Sequence, residues 1–229
     1  MAAKKILIVL TSVDKYPDGS PTGWYAPEAI HPYNRFKAAG HEVTFASISG
    51  TATCDPSSLP GDEECVSFKA DPSLWAMTEK QVKVDEVDAT DFDAVLFAGG
   101  FGTMWDYPSS EASQALIRSM YEAGKVVSAV CHGPIVFGNV KLSDGSDLVA
   151  GKQVTGFTNG EENAVQKYEV VSAPSGPGSC EDVLNAKGAT FVDGGVFQPN
   201  VVVAGQLITG QNPPSAGPLA DAINKALAN

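Results

Sequence analysis

Basic residues, cysteine and histidine are scarce in this 229-residue chain, and each scarcity closes off a class of function. Fifteen Lys and Arg face twenty-seven Asp and Glu, and the resulting net charge of −12 repels phosphate backbones and anionic lipids. No nucleic-acid or membrane partner is therefore expected. The four cysteines, at 54, 65, 131 and 180, are too few and too irregularly spaced for a disulfide framework or a zinc knuckle, so reduced thiols are expected. Three histidines, at 31, 41 and 132, make no histidine-rich metal cluster. No apolar run approaches the length of a bilayer, and residues 6–10 are too short for a signal-peptide core. The chain reads as cytoplasmic, with the nucleus as the alternative.

What is present is a succession of short apolar runs separated by helical patterns. Residues 6–11, 42–47, 93–97 and 126–130 have the composition of strands buried on both faces, and 28–40, 110–123 and 216–227 have helical spacing. Strand signals also fall at 154–157, 191–192, 201–204 and 207–209, the last two forming a hairpin about Gly205-Gln206. This alternation predicts an α/β fold, a doubly wound and mostly parallel sheet sandwiched by helices. The whole of 1–229 reads as one domain, with the loosely patterned stretch 48–88 as an insertion that forms a lid or an interface.

The chain is organised around residues 126–134, VVSAVCHGP. A buried strand runs into Cys131-His132-Gly133-Pro134, where Gly133 can take positive φ and Pro134 suits a first helical turn. A cysteine at such a corner, near a helix N-terminus, is expected to favour thiolate. The alternative is a buried structural cysteine. Sites in doubly wound sheets lie beyond the carboxyl ends of the strands, where the loop before Glu28, the Gly99-Gly100 turn, Cys131 and Glu161-Glu162 can meet. That convergence favours a functional cysteine. His132 supplies a proton shuttle, Glu161 or Glu162 can orient its ring, and the glycines let backbone N–H groups approach an oxyanion. Other signals are weaker: the 145–152 segment misses the phosphate-loop spacing, and His31, three residues after Glu28, reads as a surface pair rather than a metal site.

Residues 129–134 (AVCHGP), the Glu28 segment, Gly99-Gly100-x-Gly102-x-Met104-Trp105-Asp106, 155–162 (TGFTNGEE) and 209–213 (TGQNP) together resemble the ThiJ/PfpI superfamily. Within it the chain is most similar to the heat-shock-type branch that contains glutathione-independent glyoxalases (glyoxalase III). The resemblance implies a flavodoxin-like, class I glutamine amidotransferase-like fold, a homodimer, and no metal or organic cofactor. It implies Cys131 as nucleophile, His132 as its partner, Glu28 as a carboxyl against the sulfur, and Glu162, or else Glu161, as third member of the triad. Gly99 and Gly100 become the oxyanion and substrate-binding turn. Many members carry GGHG where this chain has Gly99-Gly100-Phe101-Gly102, which bears on substrate range. The implied activity is conversion of methylglyoxal or another 2-oxoaldehyde, a small-molecule aldehyde substrate, to D-lactate or the matching 2-hydroxy acid. Alternatives using the same residues are a stress-response holdase or redox sensor, and a cysteine peptidase or deglycase.

Overall fold

The computed structural model describes residues 2–174 and 176–228. The chain runs β1 (Lys5–Leu10), α1 (Ala26–Ala38), β2 (Glu42–Ser47), α2 (Glu63–Ala70), α3 (Pro72–Glu79), β3 (Val82–Lys83), β4 (Ala94–Phe97), α4 (Thr103–Asp106), α5 (Glu111–Glu122) and β5 (Val126–Val130). It continues with β6 (Gln153–Val154), α6 (Asn159–Ala164), α7 (Tyr168–Ser172), α8 (Cys180–Ala186), β7 (Thr190–Phe191), β8 (Val201–Ala204), β9 (Leu207–Gly210) and α9 (Ala216–Leu227). Seven strands form one sheet in the order β3-β2-β1-β4-β5-β9-β8, parallel except for β8, which pairs antiparallel with β9.

Strand composition explains this order. β1, β4, β5 and β9 are central and carry no exposed side chain beyond Lys5. Alternate residues feed two cores: Ile6, Ile8 and Leu10 pack with Ile30 and Phe36 of α1 and with α9, while Leu7 and Val9 pack with Ile117 and Met120 of α5. Both faces are thus apolar, which a central parallel strand requires.

Three local expectations are corrected. Residues 154–157 do not extend a strand of the main sheet: β6 is two residues long and pairs with β7 in a separate small sheet. The chain then turns toward β5, where the Thr155 amide donates to Thr209 Oγ1 and the Phe157 amide to the Cys131 carbonyl. The segment after Cys131 is a 3-10 helix, Gly133–Asn139, whose Gly-Pro-Ile-Val-Phe-Gly composition gives little α-helical preference. Positive φ falls on Cys131 (59°), not on Gly133. Gly133 is required for space, since a Cβ there would lie 2.5 Å from the Phe97 carbonyl oxygen.

The 48–88 stretch lays α2 and α3 beside α1 and β2. Phe68 stacks edge-on to Tyr33 at 5.2 Å, and Asp62 and Asp71 cap the two helices. No helix among the described residues is long and apolar enough to cross a membrane.

Candidate active site

The sheet delivers its functional groups at the carboxyl ends of β1, β4 and β5. Strand β5 ends at Val130, and the next residue, Cys131, holds left-handed backbone, a conformation that costs a non-glycine residue about 1–3 kcal/mol. The surroundings fix it there: the Cys131 amide donates to the Gly210 carbonyl of β9, and its carbonyl accepts from Phe157. The bend turns the sulfur out of the sheet.

Cys131 Sγ lies 3.3 Å from His132 Nδ1, although the two residues are adjacent. His132 Nε2 lies 2.9 Å from Glu162 Oε1. Both His132 and Glu162 are buried. The imidazole is flanked by two aromatic rings, Phe101 at 4.1 Å and Phe157 at 4.4 Å between centroids.

Glu28 reaches the sulfur from the first turn of α1, where Pro27 starts the helix. It is wholly buried, and neither carboxyl oxygen has a hydrogen-bond partner of ordinary geometry. Burial outweighs the lowering influence of the Cys131 thiol and the Gly99 amide and, with a smaller push from the Asp55 charge, raises Glu28 to about 8. Burial, followed by the adjacent Glu28 carboxyl, pushes the Cys131 thiol well above its ordinary range. A proton on Glu28 removes one of those two influences, so the pair titrates as a unit. Against the expectation of a thiolate favoured by the helix N-terminus, burial shifts both groups toward the proton-bound form.

The Gly99-Gly100 turn closes the other side. A Cβ on Gly99 would meet the Glu28 carboxyl and, at 2.9 Å, Cys131 Cβ. Gly100 has φ 104°, and a Cβ there would strike the Gly23 carbonyl oxygen. Both positions need glycine because three segments converge on them.

Above the sulfur is a cavity of about 470 Å³. Cys131, His132 and Glu28 form its floor, and Tyr16, Tyr25, Phe101, Phe157, Phe197 and Pro213 are among its walls. Among the described residues no Lys or Arg lines it; its remaining polar groups include Asp55 and Ser57. Cys131 is only 4 % exposed, and it borders this cavity.

The two adjacent glutamates diverge. Glu161 forms a capping box with Thr158. Its Oε1 accepts from the Phe197 amide at 2.9 Å, Asn212 Nδ2 at 2.7 Å and Gln211 Nε2 at 3.2 Å. Glu162 alone faces His132. Of the residues singled out in the sequence, Glu28, Gly99, Gly100, Cys131, His132 and Glu162 therefore come together, and Glu161 turns away.

Sequence reasoning missed Tyr16, Asp55, Ser57, Phe157 and Phe197 as cavity residues. Phe157 lies within the 155–162 motif but was not singled out there, and the other four lie in segments without a motif. His31 also departs from expectation. Its partner is Asp62 of the 48–88 stretch, at 2.9 Å, not Glu28.

Residues 22–226 match the DJ-1/PfpI family. The chain belongs to that family. Among curated relatives it is 36% identical over 225 residues to the glutathione-independent glyoxalase HSP31 of Saccharomyces cerevisiae, covering 94% of each chain. It is 32% identical to glyoxalase 3 of Candida albicans, with 93% of each covered. Among solved structures, glyoxalase III from Candida albicans superimposes with a TM-score of 0.90 at 31% identity, covering 97% of each chain. The rapid encystment protein of Francisella tularensis superimposes with a TM-score of 0.93 at 34% identity, covering 99% of this chain and all of that one. The same fold thus recurs in proteins that bear different names.

Proposed function

We propose that this DJ-1/PfpI protein is a glutathione-independent glyoxalase, converting 2-oxoaldehydes such as methylglyoxal to 2-hydroxy acids such as D-lactate. The observation that carries the reading is the relay from Cys131 Sγ to His132 Nδ1, 3.3 Å, and from His132 Nε2 to Glu162 Oε1, 2.9 Å, beneath an aromatic-walled cavity. Relatives 30–36% identical and named as glyoxalases support it.

With Nε2–H donating to Glu162, the His132 Nδ1 lone pair faces the thiol. As Sγ bonds to the aldehyde carbon C1, Nδ1 takes the thiol proton, and the aldehyde oxygen acquires the negative charge. The backbone N–H groups of Gly100 and His132 hold that oxygen. Proton return from His132 gives the neutral hemithioacetal. Ionised Glu28, with a value of about 8, then takes the C1 proton to give an enediolate; it returns that proton to C2 as the C1 hydroxyl proton passes to the C2 oxygen, which yields the thioester and restores the Glu28 carboxylate. Water cleaves the thioester, restoring the Cys131 thiol and releasing the hydroxy acid. One water is consumed overall, and no electron acceptor is needed.

The test is incubation of the purified protein with methylglyoxal in the absence of any thiol cofactor, with the amount and chirality of lactate determined. Stereospecific D-lactate that disappears in Cys131→Ala supports the reading; near-normal lactate from Cys131→Ala overturns it.

A further inference from the structure

We propose that His31, Asp62 and Cys65 form a binding site for one divalent transition-metal ion of the zinc class, at the seam between α1 and α2. The His31 imidazole nitrogen, a carboxylate oxygen of Asp62 and the Cys65 sulfur all lie within 4.8 Å of one another. Among the described residues this is the one such group of three. His31 Nε2 is already 2.9 Å from Asp62 Oδ2.

The local fold builds this arrangement. Asp62 is the N-cap of α2 and its Oδ1 accepts from the Cys65 amide at 2.9 Å, which fixes carboxylate and thiol on the same turn. His31 projects from α1 to meet them. The capping bond uses Oδ1, so Oδ2 is the oxygen available to an ion.

A nitrogen, oxygen and sulfur donor set suits zinc and excludes magnesium and calcium, which take oxygen ligands. Tetrahedral zinc with bonds of about 2.0–2.3 Å needs donors roughly 3.3–3.7 Å apart, so His31 and Asp62 must part by a few tenths of an ångström while donors as far as 4.8 Å apart close by about 1 Å. Cys65 is buried, whereas the His31 and Asp62 side chains are 23% and 25% exposed. Both border a cavity of about 540 Å³, which admits the ion and leaves room for water as fourth ligand. Glu64 and Arg35 both line the same cavity, Arg35 being paired with Asp221 at 3.0 Å, and the chain's net charge of −12 favours cations. Binding exchanges the Cys65 thiol proton for a metal–sulfur bond and releases that proton to solvent; no electrons move. The ion would tie α2 to α1 one turn beyond Glu28.

The full chain with Cys131→Ser, which removes the active-site thiol, is titrated with Zn²⁺ by calorimetry and with Co²⁺ by absorption. One Zn²⁺ per chain, about one proton released and a thiolate-to-cobalt charge-transfer band are expected, together with a higher melting temperature. Adding Cys65→Ser abolishes the band, and adding His31→Gln abolishes stoichiometric uptake, whereas adding His41→Gln changes neither. His31 is partly exposed, so the His31→Gln arm stands even where Cys65→Ser fails to fold. Absence of Zn²⁺ uptake by the Cys131→Ser chain, or uptake that survives His31→Gln, overturns the proposal and leaves a hydrogen-bonded cluster alone.

Discussion

The Phe101 ring packs 4.1 Å from the His132 imidazole, centroid to centroid. An apolar ring there shields the imidazole from solvent and forms one wall of the substrate cavity. It also touches Tyr16, at 5.5 Å, extending the aromatic lining upward.

A substrate with an aromatic substituent should exploit that wall. Aromatic contacts contribute about 0.5–1.5 kcal/mol beyond area burial, so Phe101→His is expected to lower the phenylglyoxal-to-methylglyoxal ratio of kcat/KM roughly two- to tenfold. Steady-state kinetics on both aldehydes checks this. An unchanged ratio would mean that Phe101 does not meet the substrate.

The two adjacent glutamates should separate in their effects. Glu162→Gln leaves His132 without a carboxylate and is expected to reduce kcat by at least about 100-fold with a smaller change in melting temperature. Glu161→Gln turns an NH₂ group toward donors and should cost about 2–3 kcal/mol of stability, since hydrogen bonds to charged groups contribute about 1.5–3 kcal/mol each. Urea denaturation and steady-state kinetics on both variants separate the two cases.

Glu28 links activity and stability to pH. Its folded value, about 8, exceeds the ordinary 4.5, so the folded chain holds this proton more tightly than the unfolded one. Stability from this group is therefore greatest below about 4.5 and is lost as pH rises through about 8. The loss is of order 5 kcal/mol, and Glu28→Gln should flatten that part of the stability profile. In kinetics, kcat/KM should rise with an apparent pKa near 8 and lose this limb in Glu28→Gln, with a fall of about 10²- to 10⁴-fold. A limb that persists in the variant assigns the C1 proton to His132.

Gly99 has no room for a methyl group. Gly99→Ala places Cβ against the Glu28 carboxyl and Cys131 Cβ. It should destroy activity while Gly124→Ala, strained by a φ of 78° but with nothing within 4 Å of its added Cβ, retains it. Lactate formation by the two purified variants, with circular dichroism to verify folding, distinguishes a site effect from general strain.

Much of the architecture was legible because central parallel strands need apolar side chains on both faces, which makes β1, β4 and β5 visible as short unbroken runs. The Cys131 corner was legible for the same reason: the run stops abruptly. Its backbone was not, because sequence suggests positive φ at the glycine, whereas the hydrogen bonds of Cys131 to Gly210 and Phe157 impose it on the cysteine. The choice between Glu161 and Glu162 depended on which face of a six-residue helix meets β5, and that is set by tertiary contacts from Phe197, Gln211 and Asn212. Burial changed the electrostatics as well: a corner that reads as stabilising a thiolate is desolvated, which pushes the Cys131 thiol up.

Because Glu161 and Glu162 are consecutive, a single deleted or inserted residue between Thr158 and this pair would rotate the helix by about 100° and exchange a brace for a reactive-site anchor. Gene variants that alter length should therefore be purged from this short interval, even where every nearby amino-acid type is preserved. Spacing here is heritable information in its own right.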